Sequence, residues 1–343
     1  MNLFGRWKAS LPLFLLFMAF TFSAAGSDNN FSKIPGPFGL YRGVNLGNAL
    51  DAPKEGQWGI VLKEEYFQLI KNAGFDFVRI PIRWSAHAEM EQPYTINPEF
   101  FKRTDWAVNQ ALSRHLSVII NIHHYIELSQ NPQANKARFL AIWRQIANHY
   151  RSYPENLYFE VLNEPTWNLD SKLWNDYLRE AIQIIRKTNP GRIIIAGPAR
   201  WNSIPALENL LLPEDDRNII VTFHYYQPFH FTHQGAGWVK GSEPWLGTKW
   251  LGTGSEKGAV RKDIDTAVKW AETHNRALLL GEFGAYSKAD MNSRARWTSF
   301  VAREAEKRNI AWAYWEFCAG FGIYDPDANK WRTELLKALI PQK

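Results

Sequence analysis

The stretch Val118-Ile-Ile-Asn-Ile-His-His124 shows the pattern on which the fold of this 343-residue chain depends. Its apolar residues follow one another instead of alternating with polar ones, which is typical of strands that are covered on both faces. The polar residues Asn121, His123 and His124 come where the apolar run ends. Such a strand fits a parallel sheet whose C-terminal edge carries a functional site.

Similar runs alternate with amphipathic segments along the rest of the chain. Asn97 before Pro98, and Asp170, are helix start signals, and Gly74 is a stop signal. The pattern predicts strands near 41–46, 77–82, 117–122, 157–162, 193–197, 219–223, 278–282 and 311–315. It predicts helices near 63–73, 98–114, 136–150, 171–188, 203–211, 257–274, 291–308 and 330–339.

This alternation predicts the fold class, which is α/β, with a single-domain (β/α)8 TIM barrel as its architecture. An open doubly wound sheet is the alternative, but no glycine-rich phosphate loop follows an early strand. The strand-to-helix connections are longer than the helix-to-strand ones, and in a barrel the long set surrounds the active site. The longest, 224–256, is predicted to wall a substrate cleft, with local packing as the alternative, through Tyr225, Tyr226, Phe229, Phe231, Trp238, Trp245 and Trp250.

The N-terminus has the pattern of a secretory signal. Arg6 and Lys8 precede an apolar run from Leu11 to Phe22, and Ser23-Ala24-Ala25 offers a cleavage site. We therefore predict a signal peptide over 1–25, a polar leader over 26–37 and a catalytic domain over 38–343. The expected location is secreted, extracellular or periplasmic, without stable membrane association after signal removal. An uncleaved membrane anchor is the alternative.

Charge and cysteine content exclude several classes of protein. The formal net charge is +6, and it falls to +4 without residues 1–25, whose only charged side chains are Arg6 and Lys8. A charge this small and scattered does not indicate a nucleic-acid partner. The single cysteine, Cys318, excludes an internal disulfide and any multi-cysteine metal site. We expect a monomer that is stabilised by the size of its core.

Two glutamates close apolar runs that lie 118 residues apart. Glu164 ends Tyr158-Phe-Glu-Val-Leu-Asn-Glu-Pro165, and Glu282 lies in Leu278-Leu-Leu-Gly-Glu-Phe-Gly284. Ionised carboxylates are rarely buried unless they are paired or functional. A pair of carboxylates across a cleft is what glycosidic bond cleavage requires.

Together these motifs resemble those of glycoside hydrolase family 5, in the clan of barrels with catalytic glutamates on strands 4 and 7. The resemblance covers about residues 38–340. It implies an endo-β-1,4-glucanase, or cellulase, acting on internal bonds of β-glucan, with mannan, xylan, xyloglucan and mixed-linkage glucan left open. The matching motifs are Gly43-Val-Asn45-Leu-Gly-Asn48-Ala49, Arg79, His123-His124, Asn163-Glu164-Pro165, His224-x-Tyr226, Gly281-Glu282-Phe283-Gly284 and Tyr314-Trp315.

The resemblance also implies roles. Glu164 would be the general acid/base and Glu282 the nucleophile, with retention of configuration. Arg79 and Tyr226 are candidates to hydrogen-bond Glu282 and keep it ionised. Asn163 would donate to the sugar 2-hydroxyl. Further predicted substrate-binding residues are His123 and His224, which position carboxylates and hydroxyls, Trp315 as the sugar floor, and His124, Asn45 and Asn48, with Trp58 and Trp201 as lesser candidates.

Several alternatives stay open at this point. Arg79 on a buried strand is also compatible with a structural ion pair. A metal site using His123, His124, His224 and a glutamate is conceivable, but we expect no metal and no cofactor. At the level of function, the alternatives are a non-catalytic carbohydrate-binding barrel and an esterase or metal hydrolase on the same fold. The sequence gives no role for Asp51 or Glu316.

Overall fold

In the computed structural model, which describes residues 37–341, eight parallel strands close into a barrel in the order β1 to β8. Strand β8 returns to β1 with Ala313 beside Gly43. The predicted (β/α)8 barrel and its strand order are therefore confirmed. The strands are β1 Arg42–Asn45, β2 Phe77–Ile80, β3 Ser117–Asn121, β4 Leu157–Glu160, β5 Ile194–Ala196, β6 Ile219–Tyr225, β7 Ala277–Phe283 and β8 Ala311–Tyr314, followed by a small hairpin, β9 Tyr324–Asp325 and β10 Lys330–Trp331.

Helices separate the barrel strands, and the predicted start signals act as caps. Asn97 accepts a hydrogen bond from the Glu99 amide at 2.8 Å, and Asp170 accepts one from Leu173 at 2.9 Å. The helices are α1 Glu64–Ala73, α2 Pro98–Leu112, α3 Ile126–Gln130, α4 Pro132–His149, α5 Ser171–Thr188, α6 Ala199–Asn202, α7 Phe229–Thr232, α8 Gly254–His274, α9 Met291–Glu306 and α10 Thr333–Leu339.

Two predicted helices differ from the observed elements. The segment predicted as a helix over 203–211 forms a 3-10 helix, Ile204–Asn209, which begins with a proline in its first turn. The segment predicted over 330–339 begins as β10, and its helix starts only at Thr333.

The barrel interior changes character from bottom to top. Inward-facing residues of the lower layer are apolar and include Phe77, Ile119 and Leu279. Because side chains alternate along a strand, Arg79 and Asn121 lie two positions further along β2 and β3, inside the upper layer. The polar layer thus sits at the C-terminal mouth of the barrel.

All described residues belong to one compact unit. Within this described part, no helix combines the length and the hydropathy that a membrane span needs. The predicted signal peptide over 1–25, and all but the last residue of the leader over 26–37, lie outside the described residues.

Candidate active site

Arg79 organises the mouth of the barrel. It is wholly buried and binds Glu160 through two parallel hydrogen bonds, Nε to Oε2 at 2.6 Å and Nη2 to Oε1 at 2.8 Å. Its Nη1 donates to Glu282 Oε1 at 2.7 Å and to Asn45 Oδ1 at 2.8 Å, and its Nη2 donates to Asn163 Oδ1 at 2.8 Å. The alternatives for Arg79 are therefore both realised, because one guanidinium forms a structural ion pair and also supports Glu282.

Glu282 lies on β7 and accepts hydrogen bonds from two side chains. Besides Arg79 on Oε1, the Tyr226 hydroxyl donates to Oε2 at 2.9 Å. Burial raises the pKa of Glu282 above its usual value, whereas His224, when it is protonated, and the positive charge of Arg79 lower it. The two hydrogen bonds favour the ionised form, as a nucleophile requires.

Glu164 lies on the loop after β4, with its backbone in the left-handed region at a φ of 47°. Its Oε1 lies 2.7 Å from His224 Nδ1. Burial raises the pKa of Glu164 to about 7; Arg79 lowers this pKa and Glu160 raises it. A carboxylate oxygen of Glu164 lies within 4.8 Å of a carboxylate oxygen of Glu282. A ring nitrogen of His224 lies within 4.8 Å of both oxygens.

His224 is oriented by a residue that the sequence did not point out. Burial lowers the pKa of His224 to about 4, so the ring is neutral near pH 7. Glu164 Oε1 lies 2.7 Å from Nδ1, and an ionised carboxylate can only accept, so opposite ionised Glu164 the proton sits on Nδ1 and Nε2 accepts from Asn202 Nδ2 at 3.3 Å. Gly281 makes room for this ring, because a Cβ there would lie 2.4 Å from Thr222 Oγ1 and 3.2 Å from His224 Nε2.

His123 has the opposite tautomer. The Ile82 amide donates to Asn121 Oδ1 at 3.2 Å, which turns Asn121 Nδ2 toward His123 Nδ1 at 3.1 Å. Burial holds the pKa of His123 well below its usual value, so Nδ1 accepts and the proton is on Nε2. The ring stacks on Trp315 with centroids 5.7 Å apart and planes inclined by 8°.

The floor at Trp315 is closely fitted to the first strand-to-helix loop. A Cβ at Gly47 would lie 2.8 Å from the Trp315 ring, so only glycine fits beneath it. On the same side, His124 meets Trp58 edge to face at a centroid distance of 5.3 Å. Trp58 is partly exposed, so an indole and an imidazole border the mouth here.

Asn45 differs from the expectation of a sugar contact. It is wholly buried, its Oδ1 accepts from Arg79, and its Nδ2 donates to the carbonyls of Gly281, Ala313 and Tyr314. With both ends of the amide occupied, Asn45 ties β1 to β7 and β8 and positions Arg79. Asn48 remains half-buried on the following turn.

Two acids without a predicted role are loop anchors. Asp51 accepts from the amides of Asn48 and Ala49 at 3.1 and 2.8 Å, and burial raises its pKa to about 6. Glu316 accepts from the amides of Cys318, Ala319 and Phe321, and burial raises its pKa to about 7. Both carboxylates are buried and shape the loops after β1 and β8.

The loop 224–256 supplies fewer cleft aromatics than predicted. Tyr225, Phe231 and Trp250 are buried and form no open wall, so the prediction is wrong for these three. Trp238 is 62% exposed and packs edge-on against Tyr286 at 4.9 Å. The side chains of this loop therefore divide between core packing and the rim.

Sequence reasoning missed Glu160 and Asn202, and it placed Asn121 at the end of its strand without giving it a role. Glu160 had a signal in the sequence, because it is an acid in the middle of the apolar run Leu157-Tyr-Phe-Glu-Val161. The motif around Glu164, four residues later, is the stronger signal and masks it. Asn202 had none, since its role depends on a contact with a residue 22 positions away.

Two groups of described residues bring possible metal ligands within 4.8 Å of one another: Asp51 with His123 and His124, and Glu164 with His224 and Glu282. In the second group Glu164 and His224 already hydrogen-bond each other at 2.7 Å, and Glu282 is bound by Arg79 and Tyr226. Asp51 is occupied by two backbone amides. In the second group all three side chains are thus engaged by contacts within the protein.

Comparison with known proteins gives a consistent result. The model of the family described as Cellulase (glycosyl hydrolase family 5) matches residues 42–320. Endoglucanase H of Acetivibrio thermocellus is 38% identical over 318 residues, which cover 90% of this chain and 34% of that protein. The chain spans about a third of the length of the first curated relatives it matches.

Solved structures agree over more of their length. Thermotoga maritima Cel5A in complex with cellobiose is 54% identical, with a TM-score of 0.87 over 88% of this chain and 97% of that one. The same enzyme in complex with mannotriose is 53% identical, with the same TM-score and coverage.

Proposed function

The chain belongs to glycosyl hydrolase family 5, and from this premise we propose that it is a secreted endo-β-1,4-glucanase that acts with retention of configuration. The observation that carries the mechanism is the approach of Glu164 and Glu282 to within 4.8 Å between carboxylate oxygens. Retaining glycosidases hold their carboxyl groups about 5–5.5 Å apart, whereas inverting enzymes need about 6.5–9.5 Å.

In the first step, Glu282 attacks the anomeric carbon while Glu164 gives its proton to the leaving oxygen. A glycosyl ester forms on Glu282 and the glycosidic bond breaks. Arg79 and Tyr226 hold the attacking carboxylate in place. Because burial raises the pKa of Glu164 to about 7, this carboxyl still holds a proton to give below neutral pH.

In the second step, Glu164 takes a proton from water, the water attacks the anomeric carbon, and the ester bond breaks to free Glu282. Esterified Glu282 is neutral, so the positive charge of Arg79 acts more strongly on Glu164 and lowers its pKa. His224 Nδ1–H faces the Glu164 carboxylate throughout. Asn163 uses its oxygen for Arg79, which leaves its Nδ2 to donate to the sugar 2-hydroxyl.

The substrate we propose first is an unbranched β-1,4-glucan, because the similar Thermotoga maritima enzyme has been solved with cellobiose. The second candidate is β-mannan, since the same enzyme has been solved with mannotriose. The aromatic floor at Trp315 suits the flat face of either sugar.

The test compares wild type, Glu164→Ala and Glu282→Ala on carboxymethylcellulose, barley glucan, mannan, xylan and xyloglucan. Exposed Glu214→Ala is the matched control, and it should keep wild-type activity. We expect the activity of Glu282→Ala to fall at least about a thousandfold, because a covalent catalyst lowers the activation free energy by several kcal/mol. Azide should restore the activity of Glu282→Ala and give a product of inverted configuration. A retained activity above about a thousandth would disprove the nucleophile assignment.

The same panel, extended by an acyl ester, a chelator and Glu282→Gln, separates the alternative functions. A binding barrel would retain glucan and release no reducing ends. An esterase would cleave an acyl ester even as Glu282→Gln, and a metal hydrolase would lose activity to a chelator.

Secretion and a monomeric state are part of the proposal. Secretion is supported by the charged start, apolar run and small residues within 1–25. The mature protein should begin near Gly26 in the culture medium or periplasm, and light scattering should give the mass of one chain. A membrane-bound protein that keeps its N-terminus would contradict secretion.

A further inference from the structure

Arg83 is a cation without a counter-ion at the mouth of the barrel. It is partly exposed, and its side chain forms no hydrogen bond or ion pair with the residues that the structure describes. Its Nε is buried without a partner, whereas Nη1 and Nη2 stay accessible to solvent. A guanidinium carries five N–H donors, which proteins normally use on carboxylates and carbonyls. The two accessible ends of this one are therefore available to a ligand.

The backbone places Arg83 between the loops that follow β1 and β3. Its amide donates to the Leu50 carbonyl at 2.9 Å. The carbonyl of the preceding residue, Ile82, accepts from the His123 amide at 2.8 Å. The chain at Arg83 thus continues the parallel pairing of β2 with β3 into the mouth, beside the histidines that border the sugar floor.

Two imidazoles connect Arg83 with the floor. His123 stacks on Trp315, and the rings of His123 and His124 meet edge to face with centroids 4.4 Å apart. Burial lowers the pKa of His124 to about 4, and the nearby positive charge of Arg83 acts in the same direction. When one sugar lies over Trp315, the following part of the glycan chain on this side is therefore within reach of Arg83.

The order of the strands assigns Arg83 to the glycone side of the site. In the closed barrel β2 lies opposite β6, four strands away in either direction. Strand β6 carries His224, which contacts Glu164, the residue proposed to protonate the leaving oxygen. The sugars near Arg83 are therefore those that stay on Glu282 after the first step.

The acids of the loop after β1 are already engaged. Asp51 accepts from two backbone amides, and Glu55 forms an ion pair with Arg103 at 2.8 Å. Neither is left to pair with Arg83. An uncompensated cation in a cleft attracts an anionic group of a ligand, and a guanidinium can bind a carboxylate through two parallel hydrogen bonds.

We propose that Arg83 binds the carboxylate of a hexuronosyl unit in the glycan backbone, on the second or third sugar from the point of cleavage on the glycone side. The inference rests on the proposed glycanase function. It makes Arg83 a residue that determines specificity. It also extends the substrate class from neutral glycans to acidic β-1,4-glycans whose backbone is partly oxidised at C6.

The test removes the charge of Arg83 and then restores it, with Arg83→Gln and Arg83→Lys. Arg151→Gln is the matched control, because Arg151 is exposed after α4, at the end of the barrel away from the mouth, and contacts Asn148. The substrates are a soluble β-1,4-glucan that is lightly oxidised at C6 to glucuronate, and hydroxyethylcellulose as its neutral counterpart.

We expect Arg83→Gln to raise KM on the oxidised glucan at least about fivefold with little change in kcat, because a charge-assisted hydrogen bond is lost. On hydroxyethylcellulose both constants should stay within about twofold, because no ionised group is bound there. Arg83→Lys should recover most of the loss, and Arg151→Gln should match wild type on both substrates. Added salt should raise the wild-type KM on the oxidised glucan and leave that of Arg83→Gln unchanged.

Mass spectrometry of the wild-type products should find glucuronate on the second or third sugar from the new reducing end. Products that lack it there would overturn the inference, as would an unchanged KM of Arg83→Gln on the oxidised glucan. Equal losses on both substrates would also overturn it, because they would show that Arg83 only supports the fold or His124. If wild type fails to cut hydroxyethylcellulose, the proposed function itself is contradicted, so the two failures are distinguishable.

Discussion

Arg79 shows how one residue serves both the fold and the site. Its guanidinium contacts two buried carboxylates, of Glu160 and Glu282, and the amides of Asn45 and Asn163. Burying these charges is unfavourable unless every donor and acceptor is used. Removing one member leaves the others uncompensated, so the cluster should respond to substitution as a unit.

We expect Glu160→Gln to lower the free energy of unfolding by about 3–5 kcal/mol, because it leaves Arg79 partly unpaired in the interior. Glu160 also raises the pKa of Glu164, which burial brings to about 7. The alkaline limb of kcat/KM should therefore move to lower pH in the variant. Urea unfolding and a pH–rate profile measure the two effects.

Glu180→Gln is the matched control, because its ion pair with Lys136 at 2.7 Å lies at the surface. It should cost no more than about 1 kcal/mol and leave the pH profile unchanged. An alkaline limb that moves to higher pH in Glu160→Gln would contradict the electrostatic role of Glu160.

Residue roles could be predicted from sequence where the residue type leaves few alternatives. An arginine inside an apolar strand and two glutamates at run ends point to paired charges. Tautomers could not be predicted, because His123 and His224 are fixed by different asparagines, Asn121 and Asn202. Asn45 carries a motif signal, but its three carbonyl partners lie 236 to 269 residues away.

At the scale of elements, the contact between β6 and β7 is the most constrained. The register shifts between Phe223 and His224, which brings His224 beside Glu282. Gly281 permits this approach, because the space a Cβ would need is filled by Thr222 and His224. The strand pair therefore depends on a residue without a side chain.

Gly281→Ala should displace His224 from Asn202 and Glu164 and lower kcat more than tenfold, with a loss of about 1–3 kcal/mol in stability. Gly258→Ala is the control, since it lies in α8 with open space around it. That change should stabilise the helix by up to about 1 kcal/mol and leave kcat unchanged. Wild-type kcat in Gly281→Ala would show that His224 tolerates displacement.

Elements were predictable where local signals and tertiary packing agree. Caps at Asn97 and Asp170 and the apolar runs placed most helices and strands within a few residues. The segment 203–211 has the composition of a helix, but it forms a 3-10 helix, Ile204–Asn209, which nine residues separate from β6. Short segments of this length commonly adopt the 3-10 form.

For the whole molecule, buried titratable groups make stability depend on pH. Burial raises the pKa of Asp51 to about 6 and the pKa of Glu164 and Glu316 to about 7, so the folded protein keeps protons that the unfolded chain releases near pH 4. These acids make the free energy of unfolding fall as the pH rises from about 4 to 7. Burial lowers the pKa of His124, His224 and His233 to about 4 and holds that of His123 well below its usual value, and these groups act in the opposite direction up to about pH 7.5.

The opposing contributions overlap up to about pH 7.5, because histidines of the unfolded chain are still half protonated at pH 6.5. The contribution of one acid is therefore measured as a difference between wild type and a variant. Between pH 6 and 8, at constant ionic strength, we expect the urea midpoint of Glu316→Gln to rise relative to that of wild type, because wild type loses the stability that protonated Glu316 supplies below its pKa of about 7. A difference between the two midpoints that stays constant from pH 6 to 8 would contradict the assignment of a proton to Glu316.

The barrel as a whole was predictable because eight alternating units allow few other architectures. The polar contacts at the mouth of the barrel were less predictable, because they join side chains from strands that are distant in the sequence. The contact of Asn202 with His224 and the loop roles of Asp51 and Glu316 emerge only from closure of the sheet.

The segment after β5 has a consequence for engineering. Arg200, Trp201 and Asn202 all adopt left-handed backbone angles, with φ between 51° and 59°. For residues other than glycine this conformation costs about 1–2 kcal/mol each. These three residues therefore lower the stability of the fold beside the proposed catalytic pair, and relief of their backbone strain should raise thermostability. Arg200→Gly is the first variant to test for a raised melting temperature. The Arg200 side chain, unlike that of Asn202, has no part in orienting His224.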